Sequence, residues 1–180
     1  MLRITIPKRE LYDERTNEFI NVDETTICLE HSLVSISKWE SKYNKPFLSD
    51  DAKTLQETID YIKCMTITQN VNPRVYDNLS KENIEKINEY IEAPMTATTF
   101  YEYKRSTPRK EIITSELVYY WMISCNIPME CQRWHFNRLL TLIRVFNVKN
   151  DTGKKMSNRE INSRNSALNA ARRKKLHTRG

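Results

Sequence analysis

The sequence predicts a mainly α protein of the α+β class: a helical domain with a small N-terminal antiparallel β-ribbon and a basic C-terminal helix. Three observations carry this. Leu2, Ile4 and Ile6 alternate with Arg3 and Thr5, the period of a half-buried strand. From Ser32 onward, apolar residues recur three and four apart behind residues suited to cap helices. Residues 151–180 hold nine basic and two acidic side chains, with few apolar positions. The organisation that follows is a ribbon over 1–31, a helical body over 32–150 and a basic arm over 151–180.

The first strand ends at Pro7. Its partner is the β-branched run Thr25-Thr26-Ile27-Cys28-Leu29-Glu30. The stretch from Lys8 to Glu24 is long for a tight turn, and Leu11, Tyr12, Phe19 and Ile20 indicate that it pairs or packs.

Ser32 caps a helix through Leu33, Ile36, Trp39 and Tyr43, which stops at Lys45-Pro46. Thr54 and Glu57 form a capping box for a second helix with Leu55, Ile59, Ile62 and Met65. Pro73 opens a short turn through Val75, Tyr76 and Leu79. Ser80 caps a third helix on Ile84, Ile87 and Ile91, closed by Pro94. Met95–Phe100 reads as extended, and 101–110 as a polar loop.

Glu111–Cys125 reads as a helix broken by Asn126-Ile127-Pro128. Pro128 suits the first position of a further helix running to about Val148. That helix is apolar on most sides from Leu139 to Phe146, which marks it as the central core helix. Ser157 and Glu160 form a capping box for the basic C-terminal helix, whose apolar content is too low for it to stand alone.

Composition excludes some function classes. The only glycines are Gly153 and Gly180, so residues 1–150 contain no glycine-rich phosphate loop. The net charge of +6 is uneven: nine basic and two acidic residues lie in the arm, and 20 basic and 21 acidic in residues 1–150. The arm's cations are Lys154, Lys155, Arg159, Arg164, Arg172, Arg173, Lys174, Lys175 and Arg179. A cationic arm suits nucleic acid, an acidic protein or an anionic surface.

The four cysteines form no C-x-x-C pair. Cys125, Cys131 and His135 lack an evident fourth ligand, so the cysteines are expected to be buried small hydrophobes, with no metal and no cofactor. Cys131 and His135 are the only sequence-local candidates for a nucleophile–base pair. The aromatic neighbours Trp134 and Phe136 favour a packing role for His135, and no catalytic residue is assigned. No apolar run is long enough to span a membrane, and the N-terminus lacks a signal peptide's apolar stretch. The expectation is a soluble protein of a reducing cytoplasm.

Nucleic-acid binding draws some support from Tyr101, Tyr103, Lys104, Arg105, Arg109 and Lys110, an aromatic and basic mixture able to stack bases and hold phosphates. Tyr119, Tyr120 and Trp121 are three consecutive aromatics on one helix, so at least one is exposed or meets a partner.

Several blocks together carry a family resemblance. They are Ser37-Lys38-Trp39-Glu40 with Lys45-Pro46-Phe47-Leu48; Met95-Thr96-Ala97-Thr98; Glu111 to Met122; Asn126-Ile127-Pro128; Arg133 to Val145; Lys154-Lys155-Met156-Ser157; and Arg164-Asn165 with Leu168-Asn169. The chain resembles tail assembly chaperones encoded in the morphogenesis region of tailed bacteriophages. The resemblance implies a non-enzymatic factor of the host cytoplasm that binds the tape-measure protein while tail-tube subunits polymerise around it. It implies partners among tail or neck proteins and no catalytic residues. A tape-measure helix exposes apolar stripes, for which Tyr119, Tyr120, Trp121, Met129 and Trp134 would supply an apolar groove. Self-association remains open, and no membrane partner is expected. Two other readings stand beside this one: a structural virion protein of the neck or tail, and a nucleic-acid-binding accessory protein.

Overall fold

A computed structural model describes residues 1–13, 17–100 and 112–150, with Ser166, Asn169 and Arg173. The strands are β1 (Leu2–Ile6), β2 (Arg9–Asp13), β3 (Glu18–Val22) and β4 (Thr25–Leu29). The α-helices are α1 (Leu33–Tyr43), α2 (Leu55–Met65), α3 (Lys81–Glu92), α4 (Ser115–Ser124) and α5 (Phe136–Asn150), with 3₁₀ turns at Pro73–Asn78 and Met129–Arg133. The architecture is mainly helical with an N-terminal antiparallel ribbon. It forms two compact units, Met1–Arg144 and Val145–Gly180.

The ribbon is longer than its outer strands suggest. β1 pairs with β4 and β2 with β3, both antiparallel, and throughout residue n faces residue 31 − n. It is therefore one hairpin interrupted at Pro7, which lacks an N–H, and not two hairpins in different registers. Residues 66–68 extend the sheet beyond β4: Ile67 N–H donates to Cys28 O at 2.8 Å, and Cys28 N–H donates to Thr68 Oγ1 at 2.8 Å.

The caps expected at Ser32, Thr54 and Ser80 form. Ser32 and Ser35 make a reciprocal capping box on α1, and Thr54 and Glu57 make one on α2. Asn72 and Ser80 cap the 3₁₀ turn and α3. α1 ends on Asn44 in the left-handed conformation.

Two expectations about the C-terminal helices are corrected. α4 begins at Ser115, not Glu111, because Thr114 accepts the Leu117 N–H as its cap. The helix expected from Pro128 to Val148 is two pieces. Phe136 N–H donates to His31 O at 2.7 Å and His135 bridges Ser32, so the chain must extend at Trp134 before α5 can start. Met95–Phe100 also forms no strand.

The core of the first unit is one cluster. α1 supplies Leu33, Ile36 and Trp39, the ribbon Ile4, Ile6, Ile27 and Leu29, α2 Tyr61, Ile62 and Met65, and α4 Val118 and Met122. α5 buries only Phe136, Leu139 and Ile143, so it is a one-faced helix and not the central one expected. Phe47 stacks between Trp39 and Tyr61, with ring centroids 5.2 and 4.1 Å away. Trp39 Nε1 donates to Glu57 O at 2.9 Å.

The buried carboxylates of Asp60 and Glu57 are paired with lysines. Burial alone would raise Asp60. Hydrogen bonds from Lys42, Tyr43 and Lys63 outweigh that and hold its carboxyl well below the usual range. The Thr54 N–H and the Lys45 ammonium hold Glu57 at about 2.

In the second unit, Val145–Asn150 ends α5 with Phe146 and Val148 exposed. Ser166, Asn169 and Arg173 are helical and exposed.

Candidate functional site

α4 is held firmly at both ends. At its start, Thr114 caps the Leu117 N–H, and the buried carboxylate of Glu40 accepts the Ser115 N–H at 2.8 Å. At its end Asn126 is left-handed, with φ 51°. Ile127 N–H donates to Met122 O at 2.8 Å and Asn126 N–H to Ile123 O at 3.0 Å, the two bonds of a Schellman motif.

Ser115, Val118, Met122 and Cys125 form the buried stripe. The opposite face carries exposed apolar groups one turn after the exposed Glu116: Tyr120 is 63% exposed and Ile123 is 69% exposed, three residues apart and so neighbours on the surface. Here, among the described residues, nothing covers that second face.

The aromatics singled out in the sequence divide. Tyr120 and Met129 are exposed. Tyr119, Trp121 and Trp134 are half-buried and pack against the core. Tyr119 donates its hydroxyl to Gln132 Oε1 at 2.9 Å, which ties α4 to the Met129–Arg133 turn. Burial, helped by Glu116, pushes the Tyr119 phenol up. The Arg138 guanidinium lies 4.3 Å from the Trp134 ring centroid.

Two surface hollows lie at the start of α4 and on the Met129–Arg133 turn. One of about 600 Å³ lies at the start of α4, lined by residues including Glu40, Lys45, Thr114 and Glu116. One of about 240 Å³ is lined by Met129, Glu130, Gln132 and Arg133. Sequence reasoning missed Ile123. A helical projection would have found it, because five residues set it about 140° round the helix from Val118.

The basic arm lies outside the described residues except Ser166, Asn169 and Arg173, which are exposed and helical. The aromatic and basic loop 101–110 and the Ser157–Glu160 capping box also lie outside them.

Among the described residues, His31 and His135 are core groups. The His31 and His135 rings sit 5.1 Å apart, edge to face. His31 Nδ1 hydrogen-bonds to the Tyr61 hydroxyl, and His135 Nε2 to Tyr90 O at 2.9 Å. Burial, then the neighbouring His135, lowers His31 to about 3, and burial lowers His135. Cys131 lies in the 3₁₀ turn and not on a shared helix face with His135. Cys125 and Cys131 are buried, whereas Cys28 and Cys64 are only half-buried, contrary to expectation. Burial pushes the Cys64 thiol up. Among the described residues, no group of three or more His, Cys, Asp or Glu is placed to hold a metal ion.

Comparison with protein-family models, curated proteins and solved structures gives no match. Among the described residues, no helix is long and apolar enough to cross a membrane.

Proposed function

We propose that this chain is a non-enzymatic phage morphogenesis factor of the tail assembly chaperone kind. It acts in the host cytoplasm and holds the tape-measure protein on the α4 face during tail assembly. The observation that carries the reading is the rigidly capped α4 with Tyr120 and Ile123 exposed opposite a filled core stripe. A tape-measure helix offers apolar side chains at i, i+3, i+4 and i+7, and an apolar face of fixed shape is what such a stripe docks against. Glu116, one turn before Tyr120 on the same helix face, is exposed, which favours a partner helix with a basic residue beside its stripe. The block resemblance supplies the phage context and the geometry supplies the surface.

The test is co-expression with the tape-measure protein encoded beside it. The expected result is soluble tape-measure protein that co-purifies with this chain and is lost with Tyr120→Ser and Ile123→Ser together. Mass spectrometry of mature virions should find this chain absent. A fixed copy number matching the tail's symmetry would instead make it a structural subunit. Binding to duplex DNA that weakens steeply with salt would make it a nucleic-acid-binding accessory.

A further inference from the structure

The open edge of the ribbon has a register that suits self-pairing. In an antiparallel pair, each residue directs its N–H and C=O either to its partner strand or away from it, alternately along the strand. Cys28 uses both groups on the side away from β1: its N–H goes to Thr68 Oγ1 and its C=O accepts from Ile67. Arg3 faces Cys28 and Thr5 faces Thr26. Arg3 and Thr5 therefore point their backbone groups away from β4, along the outer edge of β1. Among the described residues those four groups have no hydrogen-bond partner, and both residues are exposed. Backbone groups enclosed away from water are almost always paired, so these four groups at exposed Arg3 and Thr5 face solvent, although α3 packs against β1.

We propose that β1 pairs with β1 of a second copy of this chain, antiparallel about Ile4, joining two ribbons into one sheet. The edge offers two outward residues, Arg3 and Thr5, placed symmetrically about Ile4. A twofold axis there sets Arg3 opposite the partner's Thr5 and satisfies all four groups in each copy. Sliding by one pairing step one way sets Arg3 opposite the partner's Arg3, two like charges. Sliding the other way sets Arg3 opposite the partner's Pro7, which has no N–H to give. The register centred on Ile4 is the one free of both penalties. It also preserves the faces: Ile4 and Ile6 stay buried, and Arg3 and Thr5 stay on the polar side.

The test uses the full chain. Sedimentation equilibrium should give a dimer that dissociates on dilution. Arg3→Pro and Thr5→Pro each remove an outward N–H and no β1–β4 ladder bond, so each should halve the mass and leave the circular dichroism unchanged. Amide exchange at Arg3 and Thr5 provides a second readout in the unaltered chain. Raising the concentration across the dimer transition should slow both amides about tenfold or more, while Leu2 and Ile4 are unaffected. A monomer at every concentration overturns the proposal. So does a dimer that persists in folded proline variants, or one that forms without protecting Arg3 and Thr5.

Discussion

Glu40 and Ser115, far apart in sequence, meet where α1 ends and α4 begins: the carboxylate accepts the Ser115 N–H at 2.8 Å with one oxygen and the Phe47 N–H at 2.8 Å with the other. Glu40 is 7% exposed, so a single buried anion joins α1, the following loop and α4. Removing it orphans two buried N–H groups, each bonded to a charged acceptor. Glu40→Ala should cost about 3 kcal/mol or more by urea unfolding. Glu40→Gln keeps one acceptor oxygen and should cost less. Equal midpoints for Glu40→Ala and the parent would show that α4 is not held by this carboxylate.

Acid should loosen the fold through the histidine pair before it reaches the carboxylates. The ordinary value for His31 is 6.5 and the folded value is about 3. Between those values the unfolded chain binds a proton that the folded chain refuses, so stability falls as pH drops through that window. One refused proton amounts to at most about 1.4 kcal/mol per pH unit. Glu57 and Asp60 are lowered as well, so their contributions are present above about pH 4.5 and lost only below it. Urea midpoints should therefore already decline between pH 6.5 and 5. His31→Phe should flatten that decline even if it begins less stable, having lost the Tyr61 contact. A parent profile flat from pH 7 to 5 would contradict the neutral pair.

The two faces of α4 should separate on mutation. Val118→Ala and Met122→Ala each open a cavity in a filled core and should cost about 2–4 kcal/mol. Tyr120→Ser and Ile123→Ser change exposed positions and should stay within about 0.5 kcal/mol of the parent. Thermal melts of the four single variants give the comparison. A large loss at Ile123 would make the second face structural and remove the docking surface.

Local chemistry was legible in the sequence, and element-to-element relations were less so. Ser32, Thr54 and Ser80 announced their helices because capping is a contact across three residues. The inner half of the ribbon was only suspected. Leu11 and Ile20 suggested pairing, but the register running through Pro7 depends on the opposite strand. α5 misled because Leu139, Leu140, Leu142, Ile143 and Phe146 look enclosed from composition, while the number of faces a neighbour covers is set by tertiary packing. The break at His135 was hidden for a similar reason, since it comes from the Phe136 bond to His31, a residue near the other end of the chain. At the candidate site, the aromatic cluster stood out, but which aromatic faces solvent follows from the Glu40 anchor that sets the rotation of α4.

The end of α3 stores strain that a substitution can release. Ala93 closes the helix, and Asn137 on α5 donates its side-chain N–H groups to Ile91 O and Ala93 O, both at 2.9 Å. That amide serves the last carbonyls of α3, yet the chain must still turn sharply after Pro94. It does so at Met95, which has φ 49°. A side chain in this left-handed region costs about 1 kcal/mol that glycine avoids. Met95 is 43% exposed, so its side chain has only part of its packing to lose. Met95→Gly should raise stability by about 0.5 kcal/mol once the greater freedom of the unfolded chain is subtracted. Met95→Val, whose branched Cβ fits this region worse, should lower it by about 1 kcal/mol. Thermal melts of both variants decide the matter: opposite shifts place the strain at Met95, and a loss in both assigns the residue a packing role instead.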